Sequence, residues 1–399
     1  MLCQFSFSNF RSYRDEITID FRAENLGDEF SDSLIDGDLL PVCVLYGPNG
    51  GGKSNALKAI MCLVSTVLKP IYETKTNRLP WIVPLPVIPC TPFLFEDGTS
   101  KKPTEFLIVF RIGDYEYRYF ISLLDGEVVA ESLDRKKLKA SRVATLFDRD
   151  KGKITLGASL SKKITTNINS KMPFLSFLCI NYAILQIQEV QEWFESCLLR
   201  SYADPLSESM LLIAKQDDEH RDFVRILNDC GVNIKDFRFD EDRKDVIIEH
   251  KVSDTTYELS INDESDGTQK LFLALPLVQL SLKQGRLLVI DELDAKLHPK
   301  LLRYVIAMFT NPEINKHGAQ LLFTSHDMST LKSSVFRRDE ILFAALNDEQ
   351  RSELFCLYQI RDEFNNHVST KSAYNKQYLE GRYGADPYLQ SMLSGGEWQ

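Results

Sequence analysis

Gly47-Pro48-Asn49-Gly50-Gly51-Gly52-Lys53-Ser54 stands between a short apolar run, Pro41 to Tyr46, and a stretch, Ser54 to Leu68, whose residues Ala56, Leu57, Ile60 and Leu63 recur at helical spacing. Strand, glycine-rich loop and helix in that order are the context that a phosphate-binding loop requires. Glycines let backbone N–H groups close around phosphate oxygens, and the N-terminus of the following helix adds positive potential. In that setting Lys53 reaches the β- and γ-phosphates and Ser54 is placed to ligate magnesium. The candidate ATP and Mg2+ site therefore runs from Gly47 through Asn55. A chance glycine turn is the alternative.

Further along, Leu287-Leu-Val-Ile-Asp291-Glu292 reads as an apolar strand that ends in two carboxylates. A buried strand of this kind delivers charge to its carboxyl end, where α/β sheets bind ligands. Asp291 would hold the magnesium-bound water shell. Glu292, near the γ-phosphate but off the metal, would be the general base that positions the attacking water. Taken alone, an acidic turn after a core strand is the competing reading.

The rest of the chain fits an α/β protein. Leu2 to Phe7 and Glu16 to Phe21 read as a β-hairpin. Phe106 to Ile112, Tyr115 to Leu123 and Glu127 to Leu133 form an antiparallel meander across the turn pairs Gly113-Asp114 and Asp125-Gly126. Prolines at 80, 84, 86, 89 and 92 predict an irregular loop. From about 135 the pattern turns basic and polar, with one long helical candidate at Phe174 to Arg200, and residues 135–231 are expected to be a helical insertion. Strands return at Val246 to His250 and Tyr257 to Ile261. A helix (Thr268 to Leu282), a strand (Arg286 to Ile290), a helix (Pro299 to Phe309) and a strand (Gln320 to Thr324) follow, the alternation of a parallel sheet. The expected units are 1–134, 135–231 and 232–399.

Composition sets bounds on function. The 399 residues are 44% hydrophobic and 26% charged, as in an ordinary globular protein, and the net charge of −10 disfavours a globally basic nucleic-acid clamp while leaving a local basic groove open. Eight cysteines without a CxxC pair read as buried thiols of a reducing cytoplasm. Met1 to Arg14 lacks a basic leader followed by an apolar stretch, and the apolar windows read as too short or too polar to span a bilayer, so neither export nor membrane insertion is expected.

Glu264-Ser265-Asp-Gly267-Thr268-Gln-Lys270 precedes a helix, and Ser265 or Thr268 reads locally as an N-cap. The same segment resembles the signature motif of ABC-type ATPases. It is followed in the expected order by the Asp291-Glu292 strand end, by Asp294 in a D-loop-like turn, and by His326 in Phe323-Thr-Ser-His-Asp327, which resembles the family's switch histidine. On its own such a histidine is usually a structural residue. Asn9-Phe10-Arg11-Ser12, Leu297-His298-Pro299, Arg337-Arg-Asp-Glu-Ile341 and Tyr378-Leu-Glu-Gly-Arg-Tyr-Gly-Ala385 extend the likeness over nearly the whole chain. They are similar to the AAA15 group of bacterial ABC-type ATPases, related to the SMC, RecF and OLD proteins.

That resemblance implies an ABC-type P-loop ATPase head with an antiparallel β subdomain and a helical insertion. It implies that Ser265, Gly267 and Asp294 help bind nucleotide and that His326 joins Lys53 and Glu292 in catalysis. It also implies assembly with itself, as a head-to-tail ATP-dependent dimer or a higher oligomer. A sensor or regulator role follows, over a separately encoded effector, with a nuclease as one candidate, in antiphage systems such as PARIS. DNA remains a candidate partner, and the rival reading is an SMC- or RecF-like DNA-repair ATPase. An OLD-type nuclease is disfavoured because the stretch after His326 lacks the glutamate and Asp-x-Asp set of two-metal chemistry.

One departure concerns the glutamine loop of ABC ATPases, because no glutamine occurs from residue 5 through residue 185. Thr91 to Asp97 is where a substitute would be sought, although Glu96 and Asp97 read there as a solvated acidic turn. Basic groups at 135 to 142 and 161 to 163 are either a phosphate-backbone contact or a solvated face. Trp193 and Phe194 are either a partner surface or core.

Overall fold

A computed structural model of the chain describes residues 1–27, 30–74, 87–200, 217–240, 245–361 and 365–385. In chain order the first elements are β1 (Leu2–Ser8), β2 (Ile17–Asp20), β3 (Val42–Tyr46), α1 (Lys53–Thr74), β4 (Thr104–Ile112), β5 (Tyr115–Leu124), β6 (Glu127–Lys137), β7 (Val143–Asp150) and β8 (Lys153–Leu156). Next come α2 (Phe174–Asn181), α3 (Leu185–Ser196), β9 (Leu198–Arg200), α4 (Asp217–Asp229), β10 (Asp236–Asp240), β11 (Asp245–Val252), β12 (Thr255–Ser260) and α5 (Asp266–Gln284). The last are β13 (Leu287–Ile290), α6 (Pro299–Thr310), β14 (Gln320–Thr324), β15 (Ile341–Leu346), β16 (Ser352–Cys356) and α7 (Tyr374–Leu379).

The strands make three sheets. A six-stranded sheet has the order β16-β15-β3-β14-β13-β9, parallel throughout except for β16. A seven-stranded antiparallel sheet runs β2-β1-β4-β5-β6-β7-β8, and a small one runs β10-β11-β12. The parallel strands are apolar without alternation because both of their faces are covered. Cys43, Leu45, Val289, Leu322 and Leu342 enter one core with α1, α2, α3 and the antiparallel sheet. Their neighbours Val42, Val44, Tyr46, Leu288, Ile290, Leu321, Phe323, Ile341 and Phe343 enter a second core with α5 and α6. This is the α/β head with an antiparallel β subdomain expected from the sequence.

The described residues of segment 135–231 are less helical than its pattern suggested. Its first part continues the antiparallel sheet, since β6 runs on to Lys137 and β7 and β8 pair beyond it. Their alternation is masked in the sequence by charged residues on the exposed face, as in Val143–Asp150, where only Leu146, Phe147 and Arg149 are buried. Arg135 lies in β6 with its guanidinium 3.5 Å from the Tyr115 ring centroid. The expected helix at 174–200 is broken into α2 and α3 by extended backbone at Tyr182 and Ile184, then ends in β9, which joins the parallel sheet. Trp193 and Phe194 are core: the Trp193 ring stacks on Phe110 with centroids 4.0 Å apart, and Phe194 is buried. The prolines at 80, 84 and 86 lie outside the described residues.

Two other expectations need correction. α1 has the length and apolarity of a membrane span, but 67% of its most apolar window is buried as the central helix of the first core. Only Cys3, Cys43, Cys62 and Cys197 are buried thiols; Cys90 is exposed and Cys179, Cys230 and Cys356 are intermediate.

Arg337-Arg-Asp-Glu-Ile341 is a buried polar knot at the start of β15. The Arg337 guanidinium donates to both Asp339 oxygens at 2.9 and 2.7 Å and to the Glu24 carbonyl at 3.0 Å, while Asp339 accepts the Glu24 N–H at 2.9 Å. Glu340 Oε2 accepts the Arg337 N–H at 2.8 Å, but Oε1 is buried with no hydrogen-bond partner among the described residues. Burial pushes the Glu340 carboxyl up to about 8 from its ordinary 4.5. The folded chain therefore keeps a proton that the unfolded chain has lost, and stability falls as pH rises from about 4.5 to about 8. Glu340→Gln, which cannot ionise, should flatten this slope. Thermal unfolding between about pH 5 and pH 8.5 should show its advantage over the parent growing with pH.

Candidate functional site

Register puts the site at one edge. β14 lies between β3 and β13, with Thr324 opposite Leu45 and Phe323 opposite Ile290, so the residues after all three strands emerge side by side. These are Gly47 onward, Asp291-Glu292, and Ser325-His326. Thr324 Oγ1 donates to Asp291 Oδ1 at 2.7 Å and accepts the Glu292 N–H at 2.6 Å, so one hydroxyl fixes both carboxylate residues.

The phosphate loop curls over this edge. Gly47 and Gly52 have φ of 147° and 113°, and a Cβ on Gly47 would strike the Ala344 carbonyl of β15, while one on Gly52 would strike Ser352 and Tyr13. Glycine is needed there for conformation and for space. Lys53, 6% exposed, folds back so that Nζ donates to the carbonyls of Gly47 at 2.8 Å and Pro48 at 2.9 Å. Burial pulls its ammonium down to about 8, partly offset by Asp291, Glu292 and Asp294, so it remains mostly protonated at neutral pH. Pro48 and Ser54 are half-buried, Asn49 and Gly50 exposed, and Gly51 buried against Ala344. Asn55 is engaged elsewhere, since its amide donates to Ser12 Oγ at 2.9 Å.

Asp294 accepts the His326 N–H at 2.8 Å through Oδ2, and its Oδ1 is buried with no partner among the described residues. His326 is held below its ordinary value by burial and by the Lys53 cation, which leaves the ring neutral at neutral pH. Ser265 caps α5, its hydroxyl accepting from Thr268 N at 3.2 Å, so the local capping reading holds. Ser265 is also exposed, and Gly267 sits close to the Lys296 carbonyl, which a Cβ would approach to 3.2 Å. The residues fit a magnesium nucleotide: a glycine loop, a buried lysine and a hydroxyl-braced aspartate share one edge, and an unpaired Asp294 oxygen lies beside them.

A family model described as an AAA domain, putative AbiEii toxin, Type IV TA system, matches residues 181–332. The matched stretch carries Ser265, Asp291, Glu292, Asp294 and His326 and stops short of the phosphate loop. No curated protein matches the chain. Among solved structures, the chain is similar to one described as the crystal structure of the SmcHead bound to the C-winged helix domain of ScpA. That likeness has 14% identity and a TM-score of 0.42, covering 89% of this chain and 97% of that chain.

Several functional residues were not found by sequence reading. Thr324 carried a weak signal as the polar end of an apolar strand. Lys270 carried a stronger one: it opens the apolar run Leu271 to Val278, is 2% exposed, and donates from Nζ to the Glu292 carbonyl at 2.8 Å. Burial pulls it down to about 7 against the opposing pull of Asp294 and Glu292. Ser12 and Ser352 brace the loop from outside, with Oγ atoms 2.8 Å apart and the Ser352 N–H donating to the Ser12 carbonyl at 2.8 Å. Thr91 to Asp97, where a substitute for the glutamine loop was sought, packs instead on the Asn9 turn, with Phe93 N donating to Asn9 Oδ1 at 3.0 Å and Glu96 paired with Arg14 at 2.7 Å. The strand beside Asp291 is β9, whose last carbonyl, Arg200, accepts the Asp291 N–H at 3.3 Å.

Thr324→Val keeps shape and removes the hydroxyl that orients both carboxylate residues. It should lower ATP turnover about 10- to 100-fold, with ATP affinity changed less, as steady-state kinetics beside equilibrium binding would show.

Proposed function

We propose that this chain binds ATP with Mg2+ and hydrolyses it, and that turnover regulates a separate effector protein in antiphage defence. The observation that carries the ATPase reading is the meeting of Lys53, Asp291, Glu292, Thr324 and His326 at the carboxyl edge of one parallel sheet. Lys53 would neutralise phosphate charge, and Ser54 with Asp291 would hold magnesium, which supplies charge neutralisation of the phosphates when bound. Glu292, exposed at the turn, is free to accept the proton of an attacking water. Glu292→Gln keeps the shape but not the base. It should retain ATP binding in equilibrium titrations and lose turnover by at least about 100-fold. Turnover at the parental rate would remove Glu292 from the base role.

Assembly follows from the composite character of the site. Each chain carries one phosphate loop and one Ser265 helix start, and Ser265 is exposed while already capping α5. Two chains placed head to tail would complete two sites by a two-fold axis. Ser265→Arg should then block ATP-driven dimer formation in sedimentation and depress turnover, with ATP binding to the single chain retained. An unchanged nucleotide-dependent dimer would return Ser265 to capping alone.

The effector reading is supported by the described part of segment 135–231, which apart from β9 lies outside the parallel sheet and adds no recognised motif to the nucleotide site. The matched family's description as a toxin of a toxin–antitoxin system is also in keeping with a two-protein setting. Loss of the γ-phosphate changes the contacts that hold two subunits closed, a natural switch for capture or release. Co-purification of the parent and Glu292→Gln with the product of an adjoining gene, beside phage plating, tests it. Protection by the chain alone, with no associated protein, would move a direct nucleic-acid role to first place.

A further inference from the structure

Glu292 sits in backbone that residues with a side chain rarely adopt, with φ of 53°. Hydrogen bonds grip its peptide units from two different elements. Its N–H is bound by Thr324 Oγ1 of β14 at 2.6 Å, and its carbonyl by Lys270 Nζ of α5 at 2.8 Å. The α5 contact is part of a longer seam. Asp266 pairs with Lys296 at 3.0 Å, and Gly267 lies so close to the Lys296 carbonyl that a Cβ there would come to 3.2 Å. The first turns of α5 are thus braced on the turn 292–296, which carries the base. Lys270 lies five positions after Ser265, the N-cap of the same helix.

We propose that Lys270 is a positioning residue that holds Glu292 in place for water attack at its own chain's phosphate loop, and that couples this to engagement of Ser265 by the nucleotide of the second chain. The inference rests on the head-to-tail ATPase reading above. In the step concerned, the water oxygen bonds to the γ-phosphorus as the bond to the bridging oxygen breaks. Glu292 takes the water proton, and ADP leaves with the electron pair. A shift of α5 on contact with the opposite nucleotide moves the Lys270 ammonium and, with it, the Glu292 carbonyl. The two composite sites of a dimer are then linked through one helix in each chain.

The test is steady-state hydrolysis of ATP by the full chain across a range of ATP concentrations, beside equilibrium binding of ATP, for the parent, Lys270→Met and Lys270→Arg. Met fills the buried volume without a donor. Lys270→Met should lower kcat about 10- to 100-fold, leave ATP affinity within about twofold, and bring the Hill coefficient of turnover towards 1. Lys270→Arg, which keeps a donor, should recover most of kcat. Should Lys270→Met fail to fold, Lys270→Leu, which is also donor-free, takes its place, with the same split expected between kcat and affinity. A folded donor-free variant with kcat within about twofold of the parent overturns the proposal, as does a parallel loss of ATP affinity and kcat that Arg does not rescue. A parent that turns over with a Hill coefficient of 1 removes the coupling. Failure of the underlying reading looks different: the parent itself binds ATP without turnover, and Glu292→Gln then matches it.

Discussion

Between β3, β14, β13 and β9, side chains enter two opposite cores in alternation, so polar groups such as Gln320, Thr324 and Arg200 stand only at the strand ends. Charge is confined to their ends. Because the strands are parallel, their carboxyl ends coincide, and the polar residues that follow each one are delivered to a single edge. The phosphate loop, the Asp291-Glu292 turn and the His326 turn are neighbours for this reason alone. Their separation in sequence, from Gly47 to His326, is irrelevant to their separation in space.

Crowding charge at one edge creates an electrostatic problem that the lysines resolve. Asp291, Glu292 and Asp294 follow one another within a single turn, and each acts on both Lys53 and Lys270. Burial disfavours the two ammonium groups, whereas the carboxylates favour them. Both lysines donate to backbone carbonyls, of Gly47, Pro48 and Glu292, so that the cations hold the loops that carry the carboxylates.

Legibility in the sequence followed locality. The glycine spacing before Lys53 and the apolar run before Asp291 are local patterns; the strands and the start of the helix they imply lie within a residue of those observed, although α1 runs on past Leu68 to Thr74, and β14 has its expected bounds. What depended on packing was not readable. β7 and β8 were missed because half of each faces solvent with charge, and the break between α2 and α3 because residues on both sides of it are apolar enough to continue a helix. Thr324, Lys270 and Ser352 gain their roles from residues 32, 22 and 340 positions away. Arg337 and Asp339 look like a surface charge run in sequence and are buried because each has the other, with Glu24 completing the set.

The pairing of Ser12 with Ser352 has a consequence for synthesis. Gly52 is walled by Tyr13 from the start of the chain and by Ser352 from β16, so the phosphate loop gets its full surroundings only after some 340 further residues have followed Ser12. Contacts of such long range close late, since the intervening chain must first be ordered. During translation the glycine loop is therefore present long before its outer wall. A ribosome-bound fragment ending ahead of β16 carries the phosphate motif and both acidic residues, yet lacks the brace that gives the loop its shape. Maturation of the site is in this way tied to completion of the sheet.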